Sequence, residues 1–394
     1  RGDSFTVMPG GLTRAAPSSK PGPVSNQAGA IAKDTWVIAS EPEAASSIAV
    51  LGGPLILEET DALGTLSAGA AENLWWLGRY AERAESVARL LRTVSDRRSE
   101  YHGSADEPGL AALTLLRSSL RTLTETEPSG KADPWDELLD VLMSDQRAGT
   151  LSHSIRALLE AAHAVRDQLS SDTWLVIGDL DRRLQRLRGR KDVRAPELQG
   201  ALQQVLQGLL ALAGLGAEGM VRDLAWNFLD GGRRIERAQQ VIALLHTTVP
   251  TSPSGVTGSL VLESVVTAAE SIITYRRRSR LDWHLETVLE LLILDEDNPR
   301  SVAFQLAHLT ADLDAIPRTG SRLRTDQRLV LEAQTAVRTC NPADLVTPQG
   351  NARPRELEAF LSGLEKQLRD AAAAVERDHF LLRLPQQRIA GGIA

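Results

Sequence analysis

From residue 66 onward, apolar residues recur at intervals of three and four, as in Leu74, Leu77, Ala81, Ala84, Val87, Ala88 and Leu91. This is the spacing of one buried helix face. Leu, Ala, Arg, Glu and Gln, all good helix formers, dominate the same stretch. Breakers punctuate it at helical lengths: Pro108, 128–134, Gly149, 189–196, 250–258, Pro299, Pro317, 342–354 and Pro385. The pattern predicts about eight to ten helices in a large antiparallel bundle. Asn298-Pro299 reads as an N-cap followed by proline at the first helical position. No alternating strand pattern follows residue 66.

Residues 1–61 break this rhythm with six prolines and seven glycines. Short β-prone pieces lie between them at 4–8, 35–38 and 55–57. Such a segment reads as strands and loops too small for a core of its own. The expected fold class is therefore mainly α, with a small irregular or β N-terminal segment (1–61) and a helical domain (62–394).

Composition narrows the setting. The chain has 394 residues, enough for two or three domains, and a single cysteine, Cys340. One cysteine excludes a disulfide framework and points to a reducing, cytoplasmic compartment. No stretch is read as a membrane span, since the longest apolar region, 202–221, is broken by three Gln, one Glu and four Gly. The N-terminus shows no apolar signal region and starts at Arg1, as a fragment of a longer chain would. A net charge of −7 argues against nucleic acid as a partner. Nearly all of the 44 Lys and Arg are Arg.

Several of those arginines belong to an internal repeat. Gly78-Arg79-Tyr80-Ala81-Glu82-Arg83-Ala84 and Gly232-Arg233-Arg234-Ile235-Glu236-Arg237-Ala238 share the pattern G-R-x-x-E-R-A, 154 residues apart. Asn73 aligns with Asn227, and Trp residues lie close by in both copies. At about 100° per residue, Glu72, Trp76, Arg79 and Arg83 share one narrow face. Arg222, Trp226, Asp230, Arg233 and Arg237 share the matching face of the second copy. Arg, carboxylate and Trp beside an apolar face suggest a buried seam between two pseudo-equivalent helices. The seam has two readings: a structural Arg–carboxylate network, or a site that uses surplus Arg for phosphate or carboxylate. Arg166, Arg276 and Arg277 are further candidates to reach it. A third possibility is an enzyme with Glu82 and Glu236 as paired acid/base groups.

Other chemistry is sparse. Glu160 and His163 form a Glu-x-x-His pair, but a di-iron bundle needs two such pairs and two further Glu converging on one site, and no metal site is expected. Walker-type phosphate-loop and nucleophile-elbow motifs do not occur. Cys340 has no nearby His in sequence and reads as inert.

The segments from Ala71 to Glu85 and from Arg222 to Ala238 resemble the helices of the alpha-E family. So do Tyr275-Arg276-Arg277-Arg278, Asp295 through Leu306, and Val165 through Ser171 with Trp174. The likeness covers about residues 66–380. It departs from the family at Ala161 and His163, where Asn and Arg are usual, which weakens a polar role for that middle helix. Val7-Met8-Pro9-Gly10-Gly11-Leu12-Thr13-Arg14 and Lys33-Asp34-Thr35-Trp36-Val37 resemble the C-terminal end of a circularly permuted ATP-grasp ligase.

These resemblances imply a helical module fused to, or acting beside, an ATP-dependent carboxylate–amine ligase in a peptide-modifying system. A transglutaminase-like peptidase is a further implied partner. They imply no cofactor for this chain; ATP and Mg would belong to the upstream ligase portion. In the ligase-like tail, Gly10 and Gly11 would let backbone approach a phosphate, and Arg14 and Lys33 would neutralise its charge. A plain turn with surface cations is the alternative there.

Overall fold

The computed structural model describes residues 10–15, 31–36, 66–126, 135–188, 193–249, 255–279, 282–318, 320–346 and 355–380. The β-prone pieces at 4–8 and 55–57 lie outside these residues. Two compact units divide the chain, 1–65 and 66–394.

In the first unit, β1 (Gly10–Ala15) pairs antiparallel with β2 (Ile31–Trp36). Gly10 stands opposite Trp36, and Thr13 opposite Lys33. The described residues of the two ligase-like motifs, 10–14 and 33–36, therefore lie on paired strands. Gly10 and Gly11 are ladder residues rather than the turn of the alternative reading, because the extended register runs through both. Lys33 is exposed.

The second unit is all helix among the described residues. In order it contains α1 (Ala68–Tyr101), α2 (Glu107–Thr124), α3 (Trp135–Met143), α4 (Leu151–Ala164), α5 (Ser171–Arg188), α6 (Ala195–Gly219) and α7 (Leu224–Thr248). Then follow α8 (Val256–Ala268), α9 (Ile272–Ser279), α10 (Leu285–Leu289), α11 (Val302–Ala315), α12 (Thr325–Thr339), α13 (Pro342–Val346) and α14 (Arg355–Val375). These outnumber the eight to ten expected. The extra ones include α9, α10 and α13, of 8, 5 and 5 residues, too short to show a repeating apolar period. π-helical turns occupy Glu290–Leu294 and Glu376–Phe380.

The long helix α1 is the axis of the bundle. It packs on α7 most extensively, and on α4, α2, α6 and α8 around its circumference. Helix α7 in turn packs on α11 and α14. Helix α1 begins where the Ser67 hydroxyl accepts the Ala70 N–H at 3.1 Å, and α7 where Asp223 accepts the Trp226 N–H at 3.1 Å. The α1–α7 crossing depends on one glycine from each helix. A Cβ on Gly78 would stand 2.2 Å from the Leu229 carbonyl oxygen, and one on Gly232 would stand 2.2 Å from that of Trp75. Close approach of two backbones requires glycine at both points.

Two local expectations change. Ser301, not Asn298, caps α11, its hydroxyl accepting the Phe304 N–H at 3.1 Å. Asn298 instead pins the preceding loop, donating to the Leu291 carbonyl at 2.8 Å and the Ser271 hydroxyl at 3.2 Å. Pro299 thus precedes the helix. Helix α6, by contrast, is long and apolar enough to cross a membrane by length and composition alone, although Gln and Gly interrupt it. Its first half packs into the core through Leu198, Leu202, Val205, Leu206 and Leu209, whereas no residue after Leu209 is fully buried.

Candidate functional site

The two copies of G-R-x-x-E-R-A meet at the α1–α7 crossing and exchange charges. Glu236 accepts from Arg79 Nε at 2.8 Å and from Arg83 Nε and Nη2 at 2.7 and 3.0 Å. Glu82 accepts from Arg237 Nε and Nη2 at 2.8 and 2.7 Å, and from Arg233 Nε at 3.2 Å. Each glutamate thus receives both arginines of the other helix. The exchange follows from the heptapeptide itself: positions two, five and six of each copy fall on one face, and the glycine at position one lets the helices close. Both glutamates are buried, Glu82 at 2% and Glu236 at 1% exposure.

Burial alone would raise the Glu236 carboxyl, but Arg83 and Arg79 outweigh it and hold its pKa at about 2. Gln240 adds a further hydrogen bond at 3.0 Å. The carboxylate is therefore ionised and saturated.

A second ring of partners surrounds this latch. Arg79 also bonds Glu376, at 2.9 Å, from the π-turn that follows α14, and the Trp76 ring lies 4.5 Å beneath its guanidinium. Burial raises the pKa of Glu376 against the pull of Arg79, with the buried Glu72 adding repulsion. Asp230 holds Arg233 at 3.3 Å and Arg234 at 2.9 Å. Glu85 takes Arg89 at 2.8 Å and Arg300 at 2.8 Å. Burial would raise Glu85 as well, yet Arg300, Arg237 and Arg89 together lower it. The loop before α11 closes this side, since the Pro299 carbonyl accepts from Arg237 Nη1 at 3.3 Å.

Four residues expected at the seam lie elsewhere. Arg222 precedes α7 instead of standing on it. Its guanidinium turns back to the Ala217 carbonyl at the end of α6 and stacks 3.8 Å from the Trp226 ring. Arg166 sits in an exposed 3-10 turn, 5.3 Å over Trp174. Arg276 pairs with Glu263 of α8 at 3.0 Å, and Arg277 is exposed on the same short helix α9. The run of arginines on α9 is a solvated face, because that helix packs on α8 and presents its basic side to water.

The seam's outer members carried weaker sequence signals. Glu85 follows the first motif by one residue, but Glu376, Arg89 and Arg300 come from outside the repeat. Asp312 of α11 gave no signal. It is 8% exposed, its Oδ2 has no hydrogen-bond partner, and burial followed by repulsion from Asp230 pushes its pKa up to about 8. No group of three or more His, Cys, Asp or Glu among the described residues is placed to hold a metal ion.

Beside the latch, α1, α4, α5, α6 and α7 enclose a cleft with about 580 Å³ of empty space, counted to its open mouth. Leu77, Ile177, Leu209, Leu212 and Leu229 line its walls, and Glu82, Glu85 and Arg233 its polar end. Its walls are apolar and its few polar groups gather at one end, the polarity pattern of a binding cleft. The latch itself suits acid–base work poorly, since both motif glutamates are saturated by arginines and only Glu82 borders the cleft.

Residues 66–380 match the family model Alpha-E, described as a predicted alpha-helical domain with a conserved ER motif. The Glu82-Arg83 and Glu236-Arg237 pairs of the latch are two E-R dipeptides within that span. Uncharacterized proteins of Mycobacterium bovis and of Mycobacterium tuberculosis are each 32% identical to this chain over 368 residues. The match covers 89% of this chain and 42% of each relative, so the chain spans less than half of their length. No solved structure matches.

Proposed function

The chain belongs to the alpha-E family, and on that premise we propose that it is the helical binding module of an ATP-dependent carboxylate–amine ligase system that modifies peptides. Its task is to hold a partner, a peptide carboxylate or a phosphorylated intermediate. The chemistry is left to an ATP-grasp portion in the same chain or a separate one, with ATP and Mg bound there. A transglutaminase-like peptidase is a second candidate partner, and a reducing, cytoplasmic setting fits the single cysteine.

One observation carries the binding reading: each motif glutamate faces two arginines, and around Glu82 three guanidinium groups, Arg233, Arg234 and Arg237, share two carboxylates, Glu82 and Asp230. Arg83 is the most open of the four, with 24% of its side chain exposed. The ligase-like motifs on β1 and β2 support the association with an ATP-grasp partner, and the greater length of the relatives leaves room for one.

The test is ATP-dependent modification of a peptide by the ligase with and without this module. The expected result is that removing the module, or Arg83→Gln within it, lowers turnover at least tenfold. Unchanged turnover without the module overturns the proposal.

A purely structural scaffold is the second reading, favoured by the saturation of both carboxylates. It predicts that Arg83→Gln lowers the melting temperature steeply and that any loss of turnover follows the loss of folded protein.

A further inference from the structure

We infer that the cleft beside the latch binds the C-terminal residue of a peptide, with an apolar side chain against its walls and the free carboxylate on Arg233. The choice of a peptide over another apolar acid rests on the peptide-modifying reading above.

The shape argues first. The wall contributed by α6 is built from Leu209, Leu212, Ala213 and Gly216, and the small residues among them leave the space open. Beyond Leu209 this half of α6 has no fully buried residue, although it is almost entirely apolar. A branched aliphatic side chain placed there would cover surface that the fold leaves in contact with water.

Charge decides what sits at the polar end. Glu82 and Glu85 are already taken by arginines, so they offer little to an incoming ammonium group. Arg233 differs. Its bonds to Glu82 and Asp230, at 3.2 and 3.3 Å, are longer than those by which Arg237 holds Glu82, and its Nη2 makes no hydrogen bond among the described residues. Five guanidinium groups (Arg89, Arg233, Arg234, Arg237 and Arg300) serve four carboxylates (Glu82, Glu85, Asp230 and Glu270) in a network joined by Arg237 and Glu85 at 3.8 Å. One unmatched positive charge suits a monoanion. Asp312 does not cancel it, since that buried carboxyl is largely protonated at neutral pH.

The probe is a dye-labelled tripeptide, Gly-Gly-Leu with a free C-terminus, titrated by fluorescence anisotropy into the full chain without ATP or ligase. Binding is expected to weaken at least tenfold for the C-terminal amide and for Gly-Gly-Asp. Ala213→Trp, which fills the cleft from α6 and touches no latch residue, is expected to abolish it. Ala211→Trp, on the exposed side of the same helix, is expected to leave it intact, and circular dichroism verifies that both variants fold. No binding, equal binding of the amide, unchanged binding by Ala213→Trp, or tighter binding of decanoate than of the peptide each overturns the inference. Because the ligase is absent, a failure here leaves the ligase association standing, and a failure of that association leaves this binding measurable.

Discussion

Gly78 meets Leu229 backbone to backbone: a Cβ added to the glycine would lie 2.2 Å from the leucine carbonyl oxygen. No side-chain rotation relieves such a contact, so α1 and α7 must move apart. Gly78→Ala and Gly232→Ala are each expected to cost about 2 kcal/mol or more. Gly200 and Gly363, where an added Cβ would meet nothing within 4 Å, are the controls. Alanine at either is expected to stabilise by about 0.5–1 kcal/mol. Urea unfolding of the four variants measures the contrast.

Truncating Glu236 leaves two guanidinium groups facing a buried gap. Glu236→Ala is expected to destabilise by about 3–5 kcal/mol. Removing Arg79 as well should cost less than the two single changes added together, because Arg79 then no longer stands uncompensated. A double-mutant cycle on unfolding free energies reads this coupling; strict additivity would mean that the pair does not act as a unit.

Stability should respond to pH in two separate windows. Glu236 is held at about 2 against an ordinary value of 4.5, so its contribution is present above pH 4.5 and is lost as pH falls toward 2. Asp312 has the opposite sign. Its pKa is raised to about 8 from 3.8, so the fold is favoured below pH 3.8 and loses stability as pH rises toward 8. Asp312→Asn is expected to flatten the decline between pH 5 and about 8, measured as the urea midpoint across that range.

Glu125 ends α2 in the left-handed region, with φ of 51°, and its side chain is exposed. A glycine there avoids a conformational penalty of about 1 kcal/mol. Glu125→Gly should therefore raise the melting temperature. Glu270 has φ of 55°, but its carboxylate contacts Arg89. The same substitution at Glu270 should gain less, or lose, and comparing the two melting temperatures separates backbone from contact.

The repeated heptapeptide made the α1–α7 partnership legible, because a repeat with reciprocal charges has an obvious way to pair. Its positions two, five and six were enough to place Arg79, Glu82, Arg83, Arg233, Glu236 and Arg237 together. Arg276 and Arg277 were not legible in the same way: a run of arginines carries no information about which neighbour its short helix packs against. Arg222 was misplaced by one residue of helix boundary, since Asp223 caps α7 and frees Arg222 to cap α6. The cleft and Asp312 depend on tertiary packing of α5, α6 and α11, for which periodicity supplies a buried face but no partner.

The reciprocity of the latch also governs the order in which this domain can assemble. Arg79 and Arg83 find their shared carboxylate on a helix more than 150 residues later in the chain. Contacts so distant in sequence form slowly, after the intervening helices have brought their ends together. During synthesis α1 emerges with its charges unmet and waits for α7. A chain cut before Leu224 would keep α1 but never close it, leaving two arginines beside an apolar face with no acid to receive them.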